Sequence, residues 1–136
     1  MEVRQPQRQL IELLLWALVV VMALLVVYTS VSAPGDGSLP VSDKLMHFLA
    51  YTGLTTSMLL AAVWAPVRGE GRFPASPLLI VIIACLFGFG IEVVQGPLPE
   101  RDAELLDALA NTAGAITALL IWSVWRLAVD PSRSAG

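Results

Sequence analysis

Asp43, Lys44 and His47 stand at the head of one apolar stretch, Glu92 and Gln95 at the tail of another, and Asp107 and Asn111 at the head of a third. Several acids beside one histidine can ligate a divalent metal, and a carboxyl crowded by other carboxylates is suited to proton transfer. Lys44 and Arg101 supply positive charge: a guanidinium can grip a phosphate with two parallel bonds, whereas an ammonium acts as a point charge. Amides and carboxylates such as Gln95, Asn111, Glu92 and Asp107 can fix sugar or amide groups. Asp43 and His47 are four apart, as are Asp107 and Asn111, while Glu92 and Gln95 are three apart, so each pair shares one helix face. Tyr51 follows His47 by four and lines the same face. A plainer role is open to each of them. Acids near a helix start stabilise the positive end of its dipole, Ser42 suits an N-cap, and a single histidine is more often a packed, hydrogen-bonded residue than a ligand.

These groups interrupt a chain that is otherwise made for lipid. The 136 residues are 57% hydrophobic and 14% charged, with mean hydropathy +0.76, too little polar surface for a compact soluble domain of this size. A spanning helix needs about 20 mostly apolar residues. Four segments approach that length, and the expected fold is an all-α, integral membrane four-helix bundle forming a single domain over residues 1–136, with helices near 10–32, 43–66, 77–95 and 105–126. Pro77 suits the first turn of the third helix. The connections "SAPGDGSLPVS", "APVRGEGRFPASP" and "GPLPERDAE" are dense in Gly and Pro and read as turns. Gly88, Gly90, Gly114, Ala115 and Ala118 offer small faces for close helix approach. Because a charge at mid-bilayer costs roughly 2.5–3.5 kcal/mol, Glu92 is expected to turn into the bundle.

Net charge −3 and pI near 4.9 leave no basic face for nucleic acid. The single Cys85 excludes an internal disulfide and reads as a small apolar residue. Arg4, Arg8, Arg68, Arg72, Arg126 and Arg133 fall on one side of a double hairpin, and Lys44 with Arg101 on the other, which puts both termini in the cytoplasm. Trp64, Trp122 and Trp125 then fall near the cytoplasmic interface, where an aromatic belt would sit. A rival reading takes residues 1–33 as a secretory signal ending in "VSA", but the apolar run exceeds the usual signal core of about 7–15 residues.

"DKLMHFLAY" followed by "EVVQGPLPERDAELLDALANTAG" resembles the VanZ-like family of small bacterial membrane proteins, named for a teicoplanin-resistance accessory protein. The positions that carry the likeness are Asp43, Lys44, His47, Phe48, Tyr51, Glu92, Gln95, Pro99, Arg101, Asp107, Asn111 and Gly114. Each motif is weak singly, and the ordered set is fairly specific. It covers the second to fourth helices, leaving the first to hydropathy alone. Ala118 departs from the pattern, which often has a second Gly there. The resemblance implies a multi-pass protein of the bacterial cytoplasmic membrane with an envelope-related role, including a link to glycopeptide tolerance, and supplies no defined reaction.

On the leading reading, a site at the outer leaflet binds a lipid head group or a lipid-linked cell-wall precursor or glycan, through Asp43, Lys44, His47, Tyr51, Glu92, Gln95, Arg101, Asp107 and Asn111. No cofactor is expected on that reading. A second reading is an interfacial enzyme, metal-dependent through Asp43, His47, Glu92 and Asp107 or working by acid and base. No nucleophile stands out for it, because Thr52, Thr55 and Thr56 lie within apolar helix. A third makes the cluster a structural knot that fixes how the hairpins pack. Transport fits least well, since no ionisable group lies mid-helix to pass a charge onward. For the orientation, a cysteine replacing Ser38 is expected to react with an impermeant thiol reagent on intact cells while one replacing Ser134 does not; the reverse labelling would put the polar cluster in the cytoplasm.

Overall fold

The computed structural model describes residues 5–31, 42–64, 76–97 and 105–129. They form four helices and no strand: α1 (Gln5–Val31), α2 (Asp43–Trp64), α3 (Pro77–Gln95) and α4 (Leu105–Val129). All four are long and apolar enough to cross a membrane, the pattern of a multi-pass membrane protein. The helix starts follow local chemistry. Ser42 precedes α2, its Oγ accepting from the Leu45 N–H at 3.3 Å while its carbonyl accepts from Met46. Pro77 occupies the first turn of α3, where its missing N–H is no loss. α1 begins at Gln5 rather than near position 10, and α4 runs to Val129, past the Arg126 that was expected to stop it. A terminal arginine suits the negative end of a helix and need not end it.

α2 is central, packed most extensively on α4 and next on α1, while α3 leans chiefly on α4. Interior residues are small or closely fitted: Leu54, Leu59, Ala61, Ala84, Ala115 and Ala118 are at most 2% exposed. The outward faces carry Leu, Ile and Val, including Leu13, Leu86 and Leu120, as a helix in lipid must. In hydrocarbon, hydroxyls must find partners within the protein. Thr52, Ser57, Thr112, Thr117 and Ser123 each donate to a backbone carbonyl three or four residues back.

α2 and α4 run parallel and nearly touch backbone to backbone. A Cβ at Gly114 would collide with the Phe48 carbonyl oxygen and stand 3.0 Å from the Thr52 amide nitrogen. Only glycine fits there, and the close approach lets the Thr52 hydroxyl bridge the Phe48 carbonyl (2.8 Å) and the Gly114 carbonyl (3.2 Å). Gly90, expected to serve similarly, faces open space. Ala118 loses nothing by departing from glycine, because its methyl is 1% exposed and packs with Leu59, Ile80 and Trp122.

The tryptophan belt needs correction. Trp122 is 6% exposed within that core cluster, its ring 5.1 Å from Trp125, which does face outward. Packing against Ala118 and Leu59 outweighs the interfacial preference of the indole. The side chain of Trp64 lies outside the described residues, as do the loop arginines Arg68 and Arg72. Gly114→Ala should lower stability by about 1–3 kcal/mol, as overpacking a closed contact does, while Gly90→Ala leaves it unchanged or raises it. Thermal unfolding of the two variants in detergent measures the difference.

Candidate functional site: a polar cluster at one end of the bundle

The C-terminal end of α1, the N-terminal end of α2, the C-terminal end of α3 and the N-terminal end of α4 meet at one end of the bundle. Cross-helix contacts establish this: His47 with Asn111, Lys44 with Asp107, and Gln95 with Ser30. Because α2 and α4 are parallel, two positive helix ends lie side by side there. Asp43 and Asp107 occupy their first turns and complement both dipoles. The Phe48–Gly114 contact sets the register of these helices, bringing Lys44 opposite Asp107 and His47 opposite Asn111.

His47 is the hub. Its Nδ1 lies 3.0 Å from Asn111 Oδ1, and since that oxygen can only accept, the ring nitrogen donates. Its Nε2 lies 3.8 Å from Asp43 Oδ2 and 3.8 Å from Asp107 Oδ2. The His47 and Asp107 side chains are 10% and 8% exposed, whereas Asp43 is 59% exposed at the rim. The other oxygen of Asp107, Oδ1, lies 3.0 Å from Lys44 Nζ, near enough for a strong ion pair but off the line of a hydrogen bond. Asp107 therefore divides its two oxygens between a cation and the imidazole. Among the described residues, Asp43, His47 and Asp107 are the three whose ligand atoms fall within 4.8 Å of one another; Glu92 does not join them.

Beneath this rim lies a buried layer. Tyr51 is 1% exposed, Asn111 1% and Glu92 6%, so the glutamate does turn into the bundle. Glu92 is within electrostatic range of Tyr51, whose hydroxyl has no hydrogen-bond partner among the described residues. Gly88 of α3 makes room for both neighbours: a Cβ there would stand 3.0 Å from the Tyr51 ring and 3.2 Å from the Asn111 amide nitrogen. Phe87, half-buried beside it, packs its ring 6.4 Å from that of Tyr51.

Gln95 also has a scaffold contact. Its Nε2 donates to the Ser30 carbonyl at 2.8 Å, satisfying one of the last carbonyls of α1 and tying α3 to α1. One of its two amide N–H donors is thus committed to the scaffold. Arg101 and Pro99 lie outside the described residues. Two residues that the spacing did not single out belong here, Ser30 and Gly88. Ser30 sits in an uncharged apolar run with no motif, and only the packing of α1 reveals it. Gly88 stood out as a small residue, with nothing to connect it to His47.

A pocket of about 160 Å³ opens between α1 and α2 beside the cluster. Val26, Thr29 and Ser30 line it from α1, and Asp43, Met46, His47, Ala50 and Tyr51 from α2, so apolar and polar side chains share both sides. Its volume matches roughly five waters or a small polar group.

Helices of this kind, closing a polar constellation at one end, define a small four-helix membrane protein with an end-on polar site. The family model described as VanZ/LLP1 matches residues 8–126, and the chain belongs to that family. The match takes in α1, which the motifs alone left to hydropathy. An uncharacterized protein of the fission yeast Schizosaccharomyces pombe is 34% identical over 82 residues, covering 60% of this chain and 47% of that protein. The chain thus spans about half the length of this curated relative, and such relatives are not confined to bacteria. No solved structure matches.

Gly88→Ala tests the layered arrangement without touching a polar residue. The added methyl should displace the Asn111 amide, shifting the imidazole resonances of His47 in NMR spectra and lowering the melting temperature. Unchanged imidazole signals would separate Gly88 from the cluster.

Proposed function

We propose that the polar end of the bundle recognises the head of a membrane amphiphile, a lipid head group or a lipid-linked glycan. The observation that carries this reading is the pocket between α1 and α2, whose lining mixes apolar Val26, Met46 and Ala50 with polar Thr29, Ser30, Asp43 and His47. A ligand that is itself part apolar and part polar fits such a lining. Asp43, Asp107 and Asn111 offer acceptors to hydroxyl or amine groups, with Lys44, half-exposed at the rim, as the positive charge toward a phosphate. Arg101 extends that charge on the proposed reading. Gln95 can contribute its carbonyl oxygen and its second N–H, since one N–H is held by Ser30.

On this reading the site faces the outer leaflet and both termini lie in the cytoplasm. The cell envelope of a bacterium, with a part in glycopeptide tolerance, is the setting that the family resemblance supplies. Catalysis is a second reading, favoured by one arrangement: an imidazole between two carboxylates, one of them buried, can pass a proton.

Native mass spectra of protein extracted in mild detergent test recognition directly. The wild type and Glu104→Gln should retain a lipid-sized adduct. Glu92→Gln, which alters the buried layer, and Ala50→Leu, which fills the pocket from the α2 side, should both lose it. Equal adducts in Ala50→Leu and wild type would sink the pocket as the binding place.

A further inference from the structure

We infer that Asp43, His47 and Asp107 form the binding site of a single divalent cation of the zinc class. The inference goes beyond amphiphile recognition and stands whether or not that reading survives. It rests first on which atoms face one another. With its Nδ1 donating to Asn111 Oδ1 at 3.0 Å, a neutral His47 presents a lone pair at Nε2, and the atoms nearest that lone pair are two carboxylate oxygens, each 3.8 Å away. In that neutral form, the one able to ligate a metal, three acceptors converge. At 3.8 Å they are too far apart to hydrogen-bond one another, for which about 2.7–3.2 Å is needed. Small side-chain rotations would bring all three onto bonds of about 2.0–2.2 Å around one ion.

Burial supplies an independent reason. His47 and Asp107 have side chains nine-tenths or more buried, and a buried carboxylate aimed at a buried imidazole lone pair is costly without a positive charge between them. Lys44 does not fill that place, because its contact is with Oδ1, the oxygen facing away from the ring. Its position instead suits an outer partner that orients the ligating carboxylate. Asn111 suits the corresponding role on the imidazole, fixing the tautomer and ring plane, as outer groups at metal sites commonly do. One nitrogen and two oxygens match zinc or its borderline neighbours, and three protein ligands leave a fourth position. That position faces the pocket, since Asp43 and His47 line its wall.

His47 is the one histidine of the chain, so any metal-bound imidazole signal has a single source. The test uses untagged full-length protein in detergent, stripped with a chelator, repurified and titrated with Co²⁺, then challenged with Zn²⁺. One Co²⁺ per chain should bind with visible d–d absorption and shift the imidazole resonances, and Zn²⁺ should displace it. Binding should also raise the melting temperature, because the ion favours the folded state. His47→Ala and Asp107→Asn should each weaken binding at least tenfold, and Asn111→Ala by about 10- to 100-fold through loss of ring orientation. Asp43→Asn guards against misfolding as the explanation: its side chain is 59% exposed, so the fold should persist while affinity falls. Thr112→Ala, whose hydroxyl bonds locally to the Ala108 carbonyl, should bind as the wild type does. The absence of saturable uptake at one ion per chain, or equal uptake by wild type and the Asp43→Asn and Asp107→Asn variants, would overturn the assignment.

Discussion

The contact between the Gly114 position of α4 and the Phe48–Thr52 turn of α2 is the constraint on which the polar end depends. With no hydrophobic force to drive helices together inside lipid, close van der Waals approach and a few cross-helix hydrogen bonds must do so. A glycine against a carbonyl gives the closest approach available, and the Thr52 hydroxyl spans the joint. One turn toward the helix starts, the same crossing places Asn111 against His47; a further turn places Asp107 against Lys44. The chemistry of the site is therefore set by backbone proximity at residues that carry no chemistry themselves.

Polarity then declines in steps from rim to interior. Asp43 is largely exposed, His47 and Asp107 are nearly enclosed, and Tyr51 and Asn111 are fully enclosed. Each layer limits the one above it. Gly88 leaves space for the Tyr51 ring and the Asn111 amide, Asn111 orients His47, and His47 faces the two aspartates. Deeper still, the described helices hold hydroxyls, Cys85 and apolar side chains but no carboxylate, histidine or lysine, so no chain of charged groups continues through the described bundle.

Much of this was legible in the residues, for identifiable reasons. Helix starts show in Ser42 and Pro77 because capping and the first-turn proline are local chemistry. The meeting of Asp43, His47, Asp107 and Asn111 followed from spacings of four at two helix starts placed at the same end of the bundle. What escaped depends on packing between elements. The partner of Gln95 is a backbone carbonyl of α1, which has no side-chain signature to read. Trp122 follows the general rule for tryptophan at membrane boundaries until a neighbouring alanine opens a niche for it in the core. Glycines of equal promise, Gly88 and Gly90, part company because one faces two neighbours and the other faces none. The family motifs marked residues of the second to fourth helices, yet α1 supplies a wall of the pocket and the carbonyl that holds Gln95.

α1 is a longer span than α3, the other helix tied to it at the polar end, and that has a mechanical meaning. Its apolar stretch of 23 residues measures roughly 35 Å, against roughly 28 Å for the 19 residues of α3, at 1.5 Å per residue. A hydrocarbon layer of about 30 Å suits α3 standing nearly upright and obliges α1 to lean or the layer to thicken around it. A lean of α1 would carry Val26, Thr29 and Ser30, one side of the pocket, relative to the wall on α2. Membrane thickness, a property of the surrounding lipid mixture, would thereby enter the width of the pocket as a continuous variable, with the Gln95–Ser30 bond as the tether against which it acts.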